Sequence, residues 1–381
     1  MDKSLAPSTA MPSFRRVGKI LLPIAIIYLV LLFGQPAGLE PGRLIREILG
    51  NPTILVQQLI SGLANAAIVT IIAIGYTMVY GIVEMVNFAH SSVFMLGTMV
   101  ALLFMVGLSG GVRTPLWLAI LAFIPAMLFC GGLNAVIERF AYRSLRKQPK
   151  IVSMIAALGM DFILQNVGLQ LGSFVKLPNA FPDNQSIQWL AVLGNQAASP
   201  KAFPQVLDSV NILEPIFGPD VPLRIVPAEV MVIITAIILV FALTWFIGNT
   251  RAGKAMRAVA QNPAAAAMMG IDVDRIINLT YAIGGALAGG AAVMYGLYKG
   301  NTSWDVGFVN GLYSFTAAVV GGIGNIKGAA LGALMIGVIS SLSNQLLTSS
   351  DWSKALVFVI LVLVLVFKPT GILGSEGGEK A

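Results

Sequence analysis

The sequence predicts an all-α polytopic membrane protein, with about eight to ten membrane helices and one short helix on the cytoplasmic side. Three observations carry this. Of 381 residues, 57% are hydrophobic and only 11% charged, against about 25% charged in soluble domains. Several apolar runs approach or exceed the roughly 20 residues needed to cross hydrocarbon. Basic residues concentrate in two loops, Glu138 to Lys150 and Asn249 to Arg275. The net charge of +7 is therefore an orientation signal under the positive-inside rule, not a nucleic-acid footprint. The single cysteine, Cys130, excludes an intrachain disulfide, and the single histidine, His90, excludes a multi-histidine metal site.

Taken in order, residues 1–19 form a polar segment with Lys3, Arg15, Arg16 and Lys19, expected inside the cell. The membrane domain is expected over 20–367. Ile20 to Phe33 is a first crossing, read as a retained helix because no small-residue cleavage site follows it. Pro36 to Pro52 is a mixed connection. Ile54 to Val83 is a long apolar run ended by Glu84; Val93 to Leu108 and Pro115 to Ile137 follow, separated by Gly110 and Gly111. The loop from Glu138 to Lys150 carries five basic residues (Arg139, Arg143, Arg146, Lys147 and Lys150) and is expected in the cytoplasm. Ile151 to Phe174 crosses outward. Residues 176–226 are rich in Pro, Asn, Gln and Asp and form an outer loop. Pro227 to Gly248 returns to a cytoplasmic loop at 249–275, and Ile276 to Tyr298 crosses outward again. Leu312 to Ile323 is short for a span and is followed by a Gly-Gly-Ile-Gly-Asn break, the pattern of a broken or re-entrant helix. Gly328 to Leu347 and Ala355 to Phe367 lead to a cytoplasmic tail, 368–381.

The second basic loop contains Arg251 to Asp272, RAGKAMRAVAQNPAAAAMMGID. As a helix, its first part places Arg251, Lys254, Arg257 and Gln261 on one arc, and Ala252, Ala255, Met256 and Val259 on the other. A second start follows. Asn262 suits the N-cap, and Pro263 the first helical position, where its missing N–H costs nothing. Ala264 to Met269, with Ala267 inside, propagates a short helix, and Gly270 is the expected left-handed stop. A short apolar helix on a basic loop needs another surface to bury it.

Polar residues inside apolar runs mark paths or partners. Glu84, Asn87 and His90 recur every third residue and, on a helix, share a face extended by Ser91. This face reads either as the lining of a substrate path or as a helix-end cluster stapling neighbours. Asp161, with Gln165 one turn on, reads as a path residue or an interhelical hydrogen bond. Gly285 and Gly289, Gly324 and Gly328, and Gly328 and Gly332 have helix-packing spacing, within this chain or across a dimer. GNTRAGK (Gly248 to Lys254) imitates a phosphate loop but has Ala255 where magnesium needs a hydroxyl. Asn262-Pro263-Ala264 imitates a water-channel tripeptide but sits in a basic loop. No serine, cysteine and histidine constellation supports nucleophilic catalysis.

Four segments together resemble the inner-membrane permeases of branched-chain amino-acid ABC importers. They are Ala73 to Gly97, Arg251 to Asp272, Phe315 to Gly337 and Phe367 to Gly374. The resemblance implies a transport subunit rather than an enzyme, moving branched-chain or related amino acids across the inner membrane, with urea and short amides as the alternative cargo. It implies a second permease, two cytoplasmic ATPases that hold ATP and magnesium, and a periplasmic or lipoprotein binding protein. No cofactor is implied on this chain. Ala264 to Met269 with Gly270 would be the coupling helix, on a loop bounded by Arg251 and Asp272. Asn87 and His90 match the family's Asn-Phe-Ala-His signature, here followed by Ser91 and Ser92 instead of the usual glycine and acidic residue. A stand-alone transporter or channel, and a membrane enzyme using Glu84, Asp161 or His90, are the competing readings.

Overall fold

The computed structural model describes residues 50–109, 113–146, 148–171, 199–207, 210–218, 222–346 and 350–374. The expected N-terminal segment, the Ile20 to Phe33 crossing, much of the 176–226 loop and the end of the tail lie outside them. The helices are α1 (Pro52–Val83), α2 (Ala89–Ser109), α3 (Leu116–Leu145), α4 (Lys150–Leu171), the single turn α5 (Glu214–Phe217), α6 (Pro227–Asn249), α7 (Arg251–Gln261), α8 (Pro263–Met268), α9 (Val273–Lys299), α10 (Val306–Gly321), α11 (Ile326–Leu346) and α12 (Ser350–Phe367). Among the described residues seven helices are long and apolar enough to span a membrane: α1, α2, α3, α4, α6, α9 and α11. The 16-residue α10 is shorter, as the short apolar run before the glycine break requires.

Side-chain contacts sort the helix ends into two sets. At the basic end, Lys150 at the start of α4 pairs with Glu84 after α1 (3.0 Å), and Arg146 after α3 pairs with Asp274 in α9 (2.7 Å). At the far end, Gln57 of α1 donates to the Arg224 carbonyl (2.8 Å), and two-residue strands β1 (Lys201–Ala202) and β2 (Asn301–Thr302) pair antiparallel. Both basic loops lie at the same end, as the charge pattern requires.

The centre of the bundle is α1, α2 and α9, with 67% of each span buried, against 22% in α4 and 17% in α6. The last two therefore form the most exposed flank of the bundle among its spans. Small residues set the close contacts. A Cβ on Gly285 would lie 2.6 Å from Asn134 Cβ in α3, one on Gly332 would lie 2.8 Å from Gly321 N in α10, and one on Gly337 would lie 2.5 Å from Ala66 Cβ in α1. These glycines bring helices of the same chain together, where no hydrophobic drive separates helix from lipid. The Gly324–Gly328 spacing is not a helix motif: Gly324 has φ +96 and sits in the break before α11.

Two expected boundaries are corrected. The face of Glu84, Asn87 and His90 does not exist, because α1 ends at Val83 and α2 begins at Ala89. Glu84 is the left-handed cap, with φ 53, and its N–H reaches the Tyr80 carbonyl at 2.8 Å. The expected loop from Glu138 is instead a continuation of α3 through a π turn (Glu138–Tyr142) and a 3₁₀ turn (Arg143–Leu145). Glu138 is fully buried, ion-paired to Arg146 and accepting from Asn278 Nδ2 at 2.5 Å, so it belongs to the α3–α9 contact.

Gly285→Val should destabilise the fold by about 1–3 kcal/mol through overpacking. Gly132→Val, where nothing lies within 4 Å of an added Cβ, should leave the thermal unfolding midpoint in detergent nearly unchanged. Equal midpoints for the two variants would refute the close α3–α9 contact.

Candidate transport path and coupling knob

The loop from Arg251 to Asp272 forms a two-helix knob at the basic end. Thr250 Oγ1 caps α7 by accepting from Gly253 N–H at 3.0 Å. Gly253 is required there, since a Cβ would lie 2.5 Å from Ile247 Cα. Arg251, Lys254, Arg257 and Gln261 are exposed, whereas Met256 and Val259 are buried. Arg257 turns back to donate to the Ile247 carbonyl at 3.0 Å and so closes the α6–α7 elbow. Asn262 Oδ1 accepts from Ala265 N–H at 3.0 Å, Pro263 opens α8, and Gly270 stops it with φ +82. Of α8 only Ala266 is buried; Ala264 and Ala267 face outward, and Met268 and Met269 are 82% and 83% exposed. Asp272 caps α9 by accepting from Arg275 N–H at 3.1 Å. Two adjacent bare methionines thus stand on a firmly capped turn as an exposed apolar tip of the knob.

The polar residues of the spans gather around the start of α2. Asn87 is buried. Its Nδ2 donates to Asn134 Oδ1 (3.1 Å), and its Oδ1 accepts from Tyr142 OH (2.9 Å). Asn134 in turn donates to the Tyr281 carbonyl (2.7 Å). This network holds the non-helical segment between α1 and α2 against α3 and α9. His90 is 1% exposed and packs edge-on to Tyr76 at 4.8 Å, in a slot opened by Gly75. Among the described residues neither ring nitrogen has a hydrogen-bond partner of good geometry. Asp161 accepts from Ser92 Oγ (2.5 Å) and Gln165 Nε2 (2.7 Å), with Ser91 Oγ 3.4 Å away and donating chiefly to the Phe88 carbonyl (2.9 Å). Ser92, one of the two departures from the signature, is thus a principal donor to a carboxylate in α4, and Ser91, the other, lies beside it. Ser91, Asp161 and Tyr76 lie close together; Glu84 does not join them, being half-exposed beside Lys150.

The sequence reading missed a cavity of about 170 Å³ in the far half of the bundle. Its walls come from α1, α9, α10, α11 and α12, and include Asn65, Lys299, Asn310, Tyr313, Asn344 and Lys354. These residues are scattered from 65 to 354 over five helices, so no single local pattern links them. A smaller cavity of about 120 Å³ lies at the basic end between Gly81, Met256, Arg257 and Gly324. Tyr76 lies on α1 between the parts that line the two.

Residues 58–365 match the family described as the permease component of the branched-chain amino acid transport system. The chain belongs to this family. It is 37% identical over 327 residues to the high-affinity branched-chain amino acid transport system permease protein LivH of Salmonella typhimurium, covering 85% of this chain and 97% of that one. It is 36% identical over 331 residues to BraD of Pseudomonas aeruginosa, with the same coverages. A fructose import permease of Rhizobium meliloti is 27% identical over 57% of this chain and 62% of its own length. No solved structure matches. The match to the branched-chain amino acid permease family covers every element from α1 to near the end of α12, including the knob and both cavities.

Asn87→Ala should strand Tyr142 OH and Asn134 Oδ1 without partners, at about 1–3 kcal/mol for each buried group. Adding Tyr142→Phe removes one stranded group, so the double variant should recover roughly 1 kcal/mol by unfolding in detergent. No recovery would mean that the Tyr142 hydrogen bond contributes nothing.

Proposed function

We propose that this chain is the permease subunit of an ABC importer for branched-chain or related amino acids in the inner membrane. It pairs with a second permease subunit, two cytoplasmic ATPases and a periplasmic or lipoprotein binding protein. ATP and magnesium bind the partner ATPases, and this chain holds no cofactor and performs no chemistry. The basic end is cytoplasmic, following the positive-inside rule, and 176–226 is the outer loop. The observation that carries the reading is α8, with Met268 and Met269 82% and 83% exposed beside the basic arc of α7.

In this reading α8 is the coupling helix. Arg251, Lys254, Arg257, Asn262, Pro263, Ala264, Ala267, Gly270 and Asp272 build or frame the surface that the ATPase grips. Closure of the ATPase pair moves the knob, and alternating access follows by tilting the attached helices. ATP can shift that equilibrium only through its differential affinity for the two states, so the knob is where the free energy enters. The path runs along α1 from the far cavity, past Tyr76, Ser91 and Asp161, to the small cavity at Gly81. Asn87 and His90 stand behind it and hold the α1–α2 break; Glu84 lies at its cytoplasmic rim. Membrane lipid surrounds α4 and α6, and nothing in the chain is assigned to nucleic acid.

Met268→Asp with Met269→Asp should abolish both co-purification of the ATPases and ATP-driven leucine uptake into proteoliposomes, with membrane insertion intact. Gly270→Val is a second, independent probe. Nothing lies within 4 Å of an added Cβ there, so the change acts only on the left-handed backbone, at about 1–2 kcal/mol, and uptake should fall. Undiminished uptake in both variants, or leucine flux through the purified chain without any ATPase, would defeat the importer reading.

A further inference from the structure

The cavity in the far half of the bundle has a chemistry that selects among the cargoes this family could carry. Its two cations are not equivalent. Lys354 Nζ is 2.8 Å from Asp351 Oδ1 and is therefore neutralised. Lys299 has no carboxylate within ion-pair distance among the described residues; its Nζ rests 4.7 Å from the centroid of the Tyr298 ring. The cavity thus holds one lysine without an ion-pair partner among the described residues, on which the buried Glu229 acts only from beyond ion-pair distance. Asn65 and Asn344 face the same space and form no hydrogen bond with other described residues, so their amides are available to a ligand. Ile68, Val69 and Val309 complete the wall with branched or small apolar surface. A volume of about 170 Å³ suits a small solute, not a peptide.

We infer that this cavity is a binding site for the carboxylate of an aliphatic amino acid, with Lys299 as the specificity-determining cation. The inference rests on the importer reading above. An ammonium facing a carboxylate makes a charge-assisted hydrogen bond, stronger than a neutral one. Asn65 and Asn344 can donate to the second carboxylate oxygen or accept from the amino group. Ile68, Val69 and Val309 take the side chain. The site rejects urea and short amides, which are uncharged and leave Lys299 without its partner. The rival account of Lys299 is a span-end lysine reaching toward the membrane surface, where it contacts no cargo.

The test uses the full complex, reconstituted with its second permease, ATPases and binding protein in proteoliposomes, with leucine as the probe. Co-purification with the ATPases reports assembly. Lys299→Gln should lower ATP-driven leucine uptake at least tenfold in a complex that assembles normally, and Lys299→Arg should keep at least a third of it. Asn344→Ala should raise the leucine concentration needed for half-maximal uptake by threefold or more. Wild-type uptake in Lys299→Gln would overturn the inference and leave the importer reading standing. A wild-type complex that imports urea or leucinamide as readily as leucine would also overturn it. No leucine uptake by the assembled wild-type complex would overturn both.

Discussion

In hydrocarbon a backbone group without a protein partner has no water to turn to, and among the described residues this chain interrupts its helices at two places beside its central spans, toward the basic end. The first departure is Glu84 to Phe88, between α1 and α2. The second is Gly322 to Asn325, between α10 and α11. Each is closed by groups from elsewhere in the sequence. Asn87 is tied to Asn134 and Tyr142 of α3. The second break is sealed by the tail: Ile372 N–H donates to the Val320 carbonyl (2.8 Å) and Leu373 N–H to the Gly321 carbonyl (2.9 Å), while Asn325 Nδ2 returns a bond to the Leu373 carbonyl (3.0 Å). The last carbonyls of α10, which no helix can satisfy, are answered by residues some fifty positions away. The Phe367 to Gly374 segment is therefore part of the fold rather than a trailing tail.

These closures let α2 start inside the bundle instead of at its edge. His90 lies beside Gly75 and Gly284, well along both α1 and α9. Helix α10 starts similarly deep, since a Cβ on Gly307 would lie 2.7 Å from the Ser91 carbonyl and one on Gly311 would lie 2.9 Å from Ser91 Oγ. Two helix starts thus meet at Ser91, the point where polar residues of α1, α2 and α4 converge. Broken helices that meet within a bundle create a polar spot in a span without exposing backbone to lipid.

The features legible in the sequence were those with local causes. Asn262, Pro263 and Gly270 each act through the backbone of their own turn, so the knob could be read from its caps. The basic ends could be read because charge placement is a one-dimensional rule. The Glu84, Asn87 and His90 face failed because periodicity is blind to a left-handed non-glycine cap. Nothing in VEMVNFAH marks Glu84 as the residue that takes positive φ; its position follows from tertiary packing. The far cavity was invisible for a different reason. Its polar residues come from five helices far apart in the sequence, and only the packing of small residues, such as Gly337 on Ala66, brings those walls together.

The knob and the cavity share one rigid element. Asp272 caps α9 at the basic end, and Asp274 one residue into it is held by Arg146, whose other partner is the buried Glu138 of α3. At the opposite end of the same helix stands Lys299. A helix of 27 residues is about 40 Å long at 1.5 Å per residue. On the importer reading, a push on α8 therefore reaches the cavity wall through α9 without any intervening hinge, since no residue of α9 departs from helical geometry. Glu138 makes the attachment firm. A fully buried carboxylate held by Arg146 and Asn278 is strongly destabilised if either partner withdraws, so α3 must follow α9 rather than let it slide. The Gly285 contact, too close for a Cβ, enforces the same pairing sterically. On the importer reading, helices α3 and α9 are the pair that would move as one body against α1. The cavity is bounded by α1 on one side and α9 on the other, so relative motion of those two is the motion that would open or close it.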